Sequence, residues 1–458
     1  MEVRHLKIAL FGAGSAQFGI GTLGDIFQSS VLKGAEVSLM DVNGEALEKV
    51  SRTALEYLET HRLDFTITAT TKRKEALKGA DFVIISIEVG DRFALWDMDW
   101  KVPMQYGIPQ VYGENGGPGG IFHALRITPP ILEICDDIVD ICPDAVVFNY
   151  SNPMTAITTA VLRKHPKLRF VGLCHEIASL KRYLPEILNI DLKNIRMRAA
   201  GLNHFSVLLE AAYTETGKDA YPDILEKAPA FFEREPGFSE LWDYTRRTGV
   251  VPETEGALEK WKIDIRESFR PWSDRSLFRA IMETYRLLPI TLDSHLGEYI
   301  SWAQDVADHQ GILDFYEFYR HALSNQTWSE ITDNLRERVV PIMEGIINDS
   351  GYEEMAVNVL NNGAIPDFPD GIAVELPATV DHRGVTGVRF DSYPKGFGAL
   401  IRNYAGVYDL TVDAILTGSR DLVIQAVLAC PVVNKYHGMR EMVDTMLDNQ
   451  RKWLDYIS

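Results

Sequence analysis

Cys174, His204 and Asn152 offer a thiol, an imidazole and an amide, and each stands at the end of a strand-like run. Asn149-Tyr150-Ser151-Asn152-Pro153 follows the apolar run that begins at Ala145, and Cys174-His175-Glu176 follows Arg169–Cys174. Asn203-His204 is a polar pair between two strand-like runs, Arg198–Leu202 and Phe205–Ala212. In a parallel sheet, ligands bind beyond the carboxyl ends of the strands. Converging there, the three side chains could bind a divalent ion and orient the hydroxyls of a substrate. Thiolate favours softer metals, but a site completed by substrate oxygens admits Mn²⁺. The plainer reading stays open beside this one: a buried cysteine is often only a small hydrophobe.

A second chemistry is written in Gly12-Ala13-Gly14-Ser15, with Gly19 further on, between the run Leu6–Phe11 and a helix-like stretch over Thr22–Phe27. Glycines allow a tight turn and close approach of backbone amides to phosphate oxygens, and a helix N-terminus adds partial positive charge. The third glycine is displaced from the usual G-x-G-x-x-G place, where Gln17 stands. Asp41, ending the next apolar run, supplies the carboxylate that accepts from both ribose hydroxyls. It would repel a 2′-phosphate, so Gly12, Gly14, Ser15 and Asp41 point to NAD rather than NADP. The alternative is a glycine-rich turn that binds no cofactor.

Two further segments could face a ligand. Tyr112–Gly120 is the most glycine-dense stretch and is expected to be a loop, followed by Ile121–Arg126. Asp293-x-His295-x-x-Glu298-Tyr299 places His295, Glu298 and Tyr299 on one face of a helix that Asp293 could cap. A general-base role for Asp293 would need it aimed at a substrate carbon.

The elements that must position these residues alternate between strand and helix. Thr66–Thr70 and Ala80–Ser86 add strands, and residues 45–60 carry Leu47, Val50, Ala54 and Leu58 at helical spacing. Such alternation implies right-handed βαβ units and a mostly parallel sheet. The fold class expected is α/β: a Rossmann-like doubly wound domain over residues 1–195, then a mixed α/β catalytic domain over 196–458, as in lactate and malate dehydrogenases. In the second half, 237–248, 275–287, 294–307, Leu400–Leu416 and Arg420–Ala429 read as helices and Ile372–Leu376 as a strand.

Composition narrows the partners. The 458 residues are 46% hydrophobic and 24% charged, ordinary globular usage, and no apolar stretch is long enough for a membrane span. Lys and Arg number 46 against 65 Asp and Glu, a net charge of −19, which argues against nucleic acid and anionic membranes. Four cysteines in a chain of this length, with no export signal at Met1-Glu2-Val3-Arg4-His5, lead us to expect reduced thiols in a cytoplasm.

Taken in order, Gly12-Ala13-Gly14-Ser15, Leu39-Met40-Asp41, Gly116-Gly117-Pro118-Gly119-Gly120, Asn149–Met154, Cys174-His175-Glu176-Ile177 and Gly201-Leu202-Asn203-His204 resemble glycoside hydrolase family 4, the NAD-dependent glycosidases. The resemblance spans nearly the whole chain. It implies hydrolysis without a carboxylate pair. Hydride leaves the sugar's C3 for NAD, the C2 proton becomes acidic, the C1–O bond breaks by elimination, water adds, and the hydride returns. A divalent ion, usually Mn²⁺, stabilises the enediolate.

By the same resemblance, Cys174 and His204 match the metal ligands and Asn152 the asparagine that holds sugar hydroxyls. His175 falls where phospho-sugar members have a general acid, and Asp293 where the α-glycosidase branch has a general base. Cys174-His175-Glu176-Ile177 most resembles the Cys-His-Glu-Val of α-galacturonidases, so the substrate expected is an α-D-galacturonide. A uronate needs a cationic partner, and Arg126 and Arg92 are the candidates by position. Members are commonly homodimers or homotetramers. The alternatives are another α-glycosidase of the family (α-glucosidase, α-galactosidase or α-glucuronidase), a 2-hydroxy-acid dehydrogenase with net NADH production and no metal, and a non-catalytic NAD-binding sensor.

Overall fold

Unbroken apolar runs become strands here because both faces of the sheet are covered. In the computed structural model, which describes residues 6–15, 18–252, 269–324, 331 and 337–458, six strands pair in parallel. They are β1 (Lys7–Phe11), β2 (Glu36–Met40), β3 (Thr66–Thr70), β4 (Phe82–Ile85), β5 (Val146–Asn149) and β6 (Arg169–Gly172), in the order β3-β2-β1-β4-β5-β6. This is the doubly wound order, and it reverses direction between β1 and β4. Val83, Ile84, Ile85, Val147 and Phe148 have no exposed surface. β3, at the edge, is the exception: Thr-Ile-Thr-Ala-Thr is largely exposed.

The second half extends this sheet. β7 (Ile195–Leu202), β8 (Phe205–Tyr213), β9 (Tyr352–Leu360), β10 (Ala373–Asp381) and the short β11 (Gly384–Gly387) complete eleven strands among the described residues. β6 meets β9 antiparallel through Gly172 and Asn358, and the order continues β9-β10-β7-β8. Residues 1–195 and 196–458 therefore share one mixed sheet. Asn149, Gly172, Asn358, Glu375 and Gly201 lie in register across five adjacent strands. That row marks the carboxyl ends of β5 and β6 and places the β7–β8 turn beside them.

Two helical expectations change. Gly117–Gly120 does not continue a loop; it opens the 25-residue helix Gly117–Ile141. The glycines serve packing there, because a Cβ on Gly119 would collide with the Gly113 carbonyl and one on Gly120 with Asn115. Residues 294–307 are not one helix. Asp293–Leu296 and Ala303–Val306 are single turns, and Gly297 between them lies too close to Val111 to carry a side chain. No helix among the described residues is long and apolar enough to cross a membrane.

Candidate active site

The glycine segment turns sharply at the end of β1, where Gly12 has φ +80° and a Cβ would collide with the Ser86 carbonyl. The Gly14 amide donates to Asp41 Oδ2 at 2.8 Å, and the Asn43 amide donates to Oδ1 at 2.8 Å. A Cβ on Gly14 would lie 2.8 Å from Asp41 Oδ2, so only glycine lets loop and carboxylate approach this closely. Ser15 Oγ accepts from the Phe18 amide at 3.2 Å, at the start of helix Phe18–Gln28. Gly19 is the displaced third glycine. A Cβ there would collide with the Ala13 carbonyl, so it performs the close helix–strand packing that this glycine serves in dinucleotide folds. Gln17 lies outside the described residues. The cradle, the helix N-terminus and Asp41 fit a dinucleotide at the β1/β4 reversal.

At the same carboxyl-terminal end of the sheet, three strands from β1, Cys174 lies just past the end of β6, and Asn152 lies past the end of the adjacent β5. His204 occupies the two-residue turn between β7 and β8, with φ +63°, a left-handed conformation uncommon outside glycine. Cys174 Sγ is 3.4 Å from His204 Nε2. One oxygen of Glu176 lies 3.7 Å from the same nitrogen, and the three donor atoms all fall within 4.8 Å of one another. Asn152 Oδ1 is buried without a hydrogen-bond partner. Glu375 supports the turn from below, accepting from Asn203 at 2.7 Å, Ser206 at 3.2 Å and Asn358 at 3.2 Å.

The charge balance around these donors calls for a cation. His295 Nε2 is 3.4 Å from Glu176, and its Nδ1 is 3.5 Å from Glu298 and 4.0 Å from Glu114. Burial, with the Glu375, Glu114 and Glu298 charges adding to it and His295 opposing, pushes the Glu176 carboxyl up to about 8. Burial, with the Glu176 and Glu375 charges adding to it, raises the Cys174 thiol well above its ordinary value, while burial chiefly holds His204 neutral. His295 is opposed by burial, but Glu176, Glu298 and Glu114 outweigh it and raise the imidazole to about 9. A divalent ion beside Cys174 would reverse the penalty on thiolate and carboxylate alike. Thiol, neutral imidazole and carboxylate therefore fit a first-row divalent metal.

The other expected site residues lie differently. His175 is at the rim, its side chain 60% exposed, with Nδ1 3.7 Å from Glu337 and its ring 5.7 Å from Tyr150. Arg92 is engaged by Glu114 at 2.8 Å and Glu88 at 3.9 Å and lies over the Tyr319 ring. Arg126 is buried, pairing with Asp99 at 2.8 Å and donating to Gln450. Asp293 does not join the cluster. Its carboxylate, wholly buried, accepts from the Leu277 amide at 3.0 Å and the Phe278 amide at 2.9 Å, capping helix Ser276–Tyr285, and from the Asp308 amide at 2.9 Å. Burial pushes this carboxyl up to about 7, against the opposing pull of the three amides. Glu114 and Glu375 were not foreseen. The one signal for Glu375 was a lone acid inside an apolar strand run.

The fold and site define an α/β protein with a dinucleotide cradle and a thiol–imidazole–carboxylate cluster on one sheet edge. Residues 7–190 match the family 4 glycosyl hydrolase model and residues 199–433 its C-terminal domain. An α-glucosidase of Erwinia rhapontici is 57% identical over 451 residues, 98% of this chain and 99% of that one. The chain belongs to family 4 of the glycosyl hydrolases. An α-galacturonidase of Bacillus subtilis is 28% identical, covering 94% of each chain. Among solved structures, a 6-phospho-α-glucosidase from gut microorganisms, in complex with NAD and Mn²⁺, superposes with TM-score 0.75 at 20% identity over 98% of this chain and 99% of that one.

Proposed function

We propose that this family 4 α-glycosidase hydrolyses neutral α-glucosides, with NAD held by the Gly12–Ser15 loop and Asp41, and a divalent ion, Mn²⁺ by analogy, at Cys174 and His204. The observation that carries the reading is the placement of both cradles on one sheet edge, beyond β1 and β6. When bound, the dinucleotide supplies a reversible hydride acceptor and the ion a Lewis acid for vicinal sugar oxygens. The chain's own residues bind, orient and donate a proton. Asn152, with its free buried carbonyl oxygen, orients sugar hydroxyls, and the neutral His204 imidazole keeps a lone pair for the ion. His175, at the rim, is placed to hand a proton to a departing oxygen. Asp293 serves as a helix cap in this reading, not as the base.

The glucoside preference rests on charge and on the 57% identical relative, an α-glucosidase. Glu114, Glu176 and Glu298 surround the site, and both arginines expected to meet a uronate already hold carboxylates. The α-galacturonide reading keeps one supporting feature, the Cys174-His175-Glu176-Ile177 segment. Release of nitrophenol from the 4-nitrophenyl α-glucoside, α-galactoside and α-galacturonide, with NAD⁺ and Mn²⁺ present, decides between them. Faster turnover of the galacturonide sinks the glucoside reading, and metal-independent NADH accumulation in EDTA would restore the dehydrogenase alternative. A cytoplasmic homodimer or homotetramer completes the proposal, checked by light scattering and cell fractionation.

A further inference from the structure

The ligand pair Cys174 and His204 leaves a third donor unexplained. Glu176 is two residues beyond Cys174, and its Oε2 is buried with no hydrogen-bond partner. Its Oε1 lies 3.4 Å from His295 Nε2 and 3.7 Å from His204 Nε2. Both separations exceed the 2.7–3.2 Å of an ordinary N–H···O bond, so neither contact saturates the carboxylate. The Glu176–His204 separation does suit donors arranged around one ion: two bonds of about 2.0–2.3 Å, opened by a near-tetrahedral angle, set donor atoms about 3.5 Å apart. The Cys174–His204 separation of 3.4 Å belongs to the same pattern.

Behind Glu176 stands a second carboxylate. His295 Nδ1 is 3.5 Å from Glu298 Oε2, and the other Glu298 oxygen accepts from the amides of Glu114 and Asn115, the latter at 2.8 Å. Glu298 is thus tied to the backbone of the glycine-dense turn before helix Gly117–Ile141. His295 lies between two carboxylates at ion-pair distance, with its ring 4.3 Å from that of His204. A carboxylate–imidazole–carboxylate row of this kind fixes the orientation of whatever lies at its end.

We propose that Glu176 is a third protein ligand of the divalent ion, and that His295 and Glu298 are positioning residues that aim it. The inference rests on the reading of Cys174 and His204 as ligands, and it adds a charge argument. One thiolate and one carboxylate together match a divalent ion, and the added oxygen donor shifts the site toward harder metals such as Mn²⁺. It also makes metal affinity depend on a segment more than a hundred residues distant in sequence.

The test is Mn²⁺ titration of the NAD⁺-loaded protein, followed by loss of the free-Mn²⁺ EPR signal. NAD⁺ affinity in the same samples reports that each variant is folded. Glu176→Gln should weaken Mn²⁺ about a hundredfold or more, and His295→Asn and Glu298→Gln each about 10–100-fold. The variant that combines His295→Asn with Glu298→Gln should be no weaker than His295→Asn alone, because both act through one row. Glu176→Asp, which keeps the charge, should recover part of the loss and stands in if the glutamine variant does not fold. If Cys174→Ser weakens Mn²⁺ while Glu176→Gln and Glu176→Asp bind as the parent does, Glu176 is no ligand, although the ion site stands. If Cys174→Ser leaves Mn²⁺ affinity unchanged, the metal reading itself has failed. If Glu176→Gln weakens Mn²⁺ but His295→Asn and Glu298→Gln do not, the positioning row is overturned.

Discussion

Asp41 grips the Gly14 amide with one carboxylate oxygen and the Asn43 amide with the other, so the end of β2 holds the glycine turn of β1 in shape. Asp41→Ala removes this brace and the acceptor proposed for the ribose. Hydrogen bonds to a charged group contribute about 1.5–3 kcal/mol each. Losing even one raises the Kd for NAD⁺ about tenfold or more. The same change should narrow the preference for NAD⁺ over NADP⁺, since a repelling charge is gone. Calorimetric titration with both cofactors checks this; an unchanged NAD⁺ affinity would place the dinucleotide elsewhere.

Gly19 and Gly21 sit in one helix turn and should respond in opposite directions. A Cβ on Gly19 collides with the Ala13 carbonyl, whereas one on Gly21 meets nothing within 4 Å. Gly19→Ala forces the helix off the strand, an overpacking cost of about 1–3 kcal/mol, and should weaken NAD⁺ binding with it. Gly21→Ala should be neutral or stabilising by about 0.5–1 kcal/mol. Thermal unfolding of the two variants side by side is the measurement, and equal Tm values would contradict the packing role of Gly19.

Which parts of this molecule can be read from the chain depends on how locally each is determined. β4 and β5 are legible because strands covered on both faces must be apolar throughout. The Asn203-His204 turn is legible because two polar residues interrupt two apolar runs. β9 is not, because Glu354 lies buried within it, paired with Arg338 at 2.5 Å, and breaks the pattern. Cys174 and His204 were found through ordered motifs and do converge in space. The link from Glu176 to His295 cannot be read, since no spacing rule joins positions 119 residues apart; the turn that carries His295 is held against the β7–β8 turn by the Thr291 hydroxyl, which donates to the His204 carbonyl. The cap that Asp293 forms is hidden for a related reason: the helix it caps begins upstream of it, at Ser276.

Replacement of Asp293 separates the two roles that a buried carboxylate can play. Oδ2 accepts two amides and Oδ1 one. Asp293→Asn keeps an acceptor for two of them but turns a donor toward the third, and an unpaired buried donor costs about 1–3 kcal/mol. Asp293→Ala strands all three and should destabilise more. Both variants should lose thermal stability while the protein that remains folded binds NAD⁺ and Mn²⁺ normally. If Asp293→Asn keeps the parent's Tm and loses only turnover, the carboxylate is the general base and the capping account is wrong.

Proton release should accompany metal binding, and the sign follows from Glu176. Its carboxyl, raised to about 8 chiefly by burial, holds a proton in the metal-free protein at neutral pH. In the unfolded chain it would ionise near the ordinary value of about 4.3. The folded state therefore binds the proton more tightly, and this group's contribution to stability is complete below about pH 4 and lost as pH rises through 8. An ion must displace that proton, and the one on the Cys174 thiol, so its affinity climbs as pH rises from 6 to 8. Above pH 8 only the thiol still contributes to the slope. The metal-free protein should thus lose Tm between pH 6 and 9, while the Mn²⁺-loaded protein loses less, and the gap between them should widen. In Glu176→Gln the widening should shrink to what Cys174 alone supplies. A gap that stays constant across this range, in the parent protein, would mean that no buried acid near the site gives up a proton to the metal.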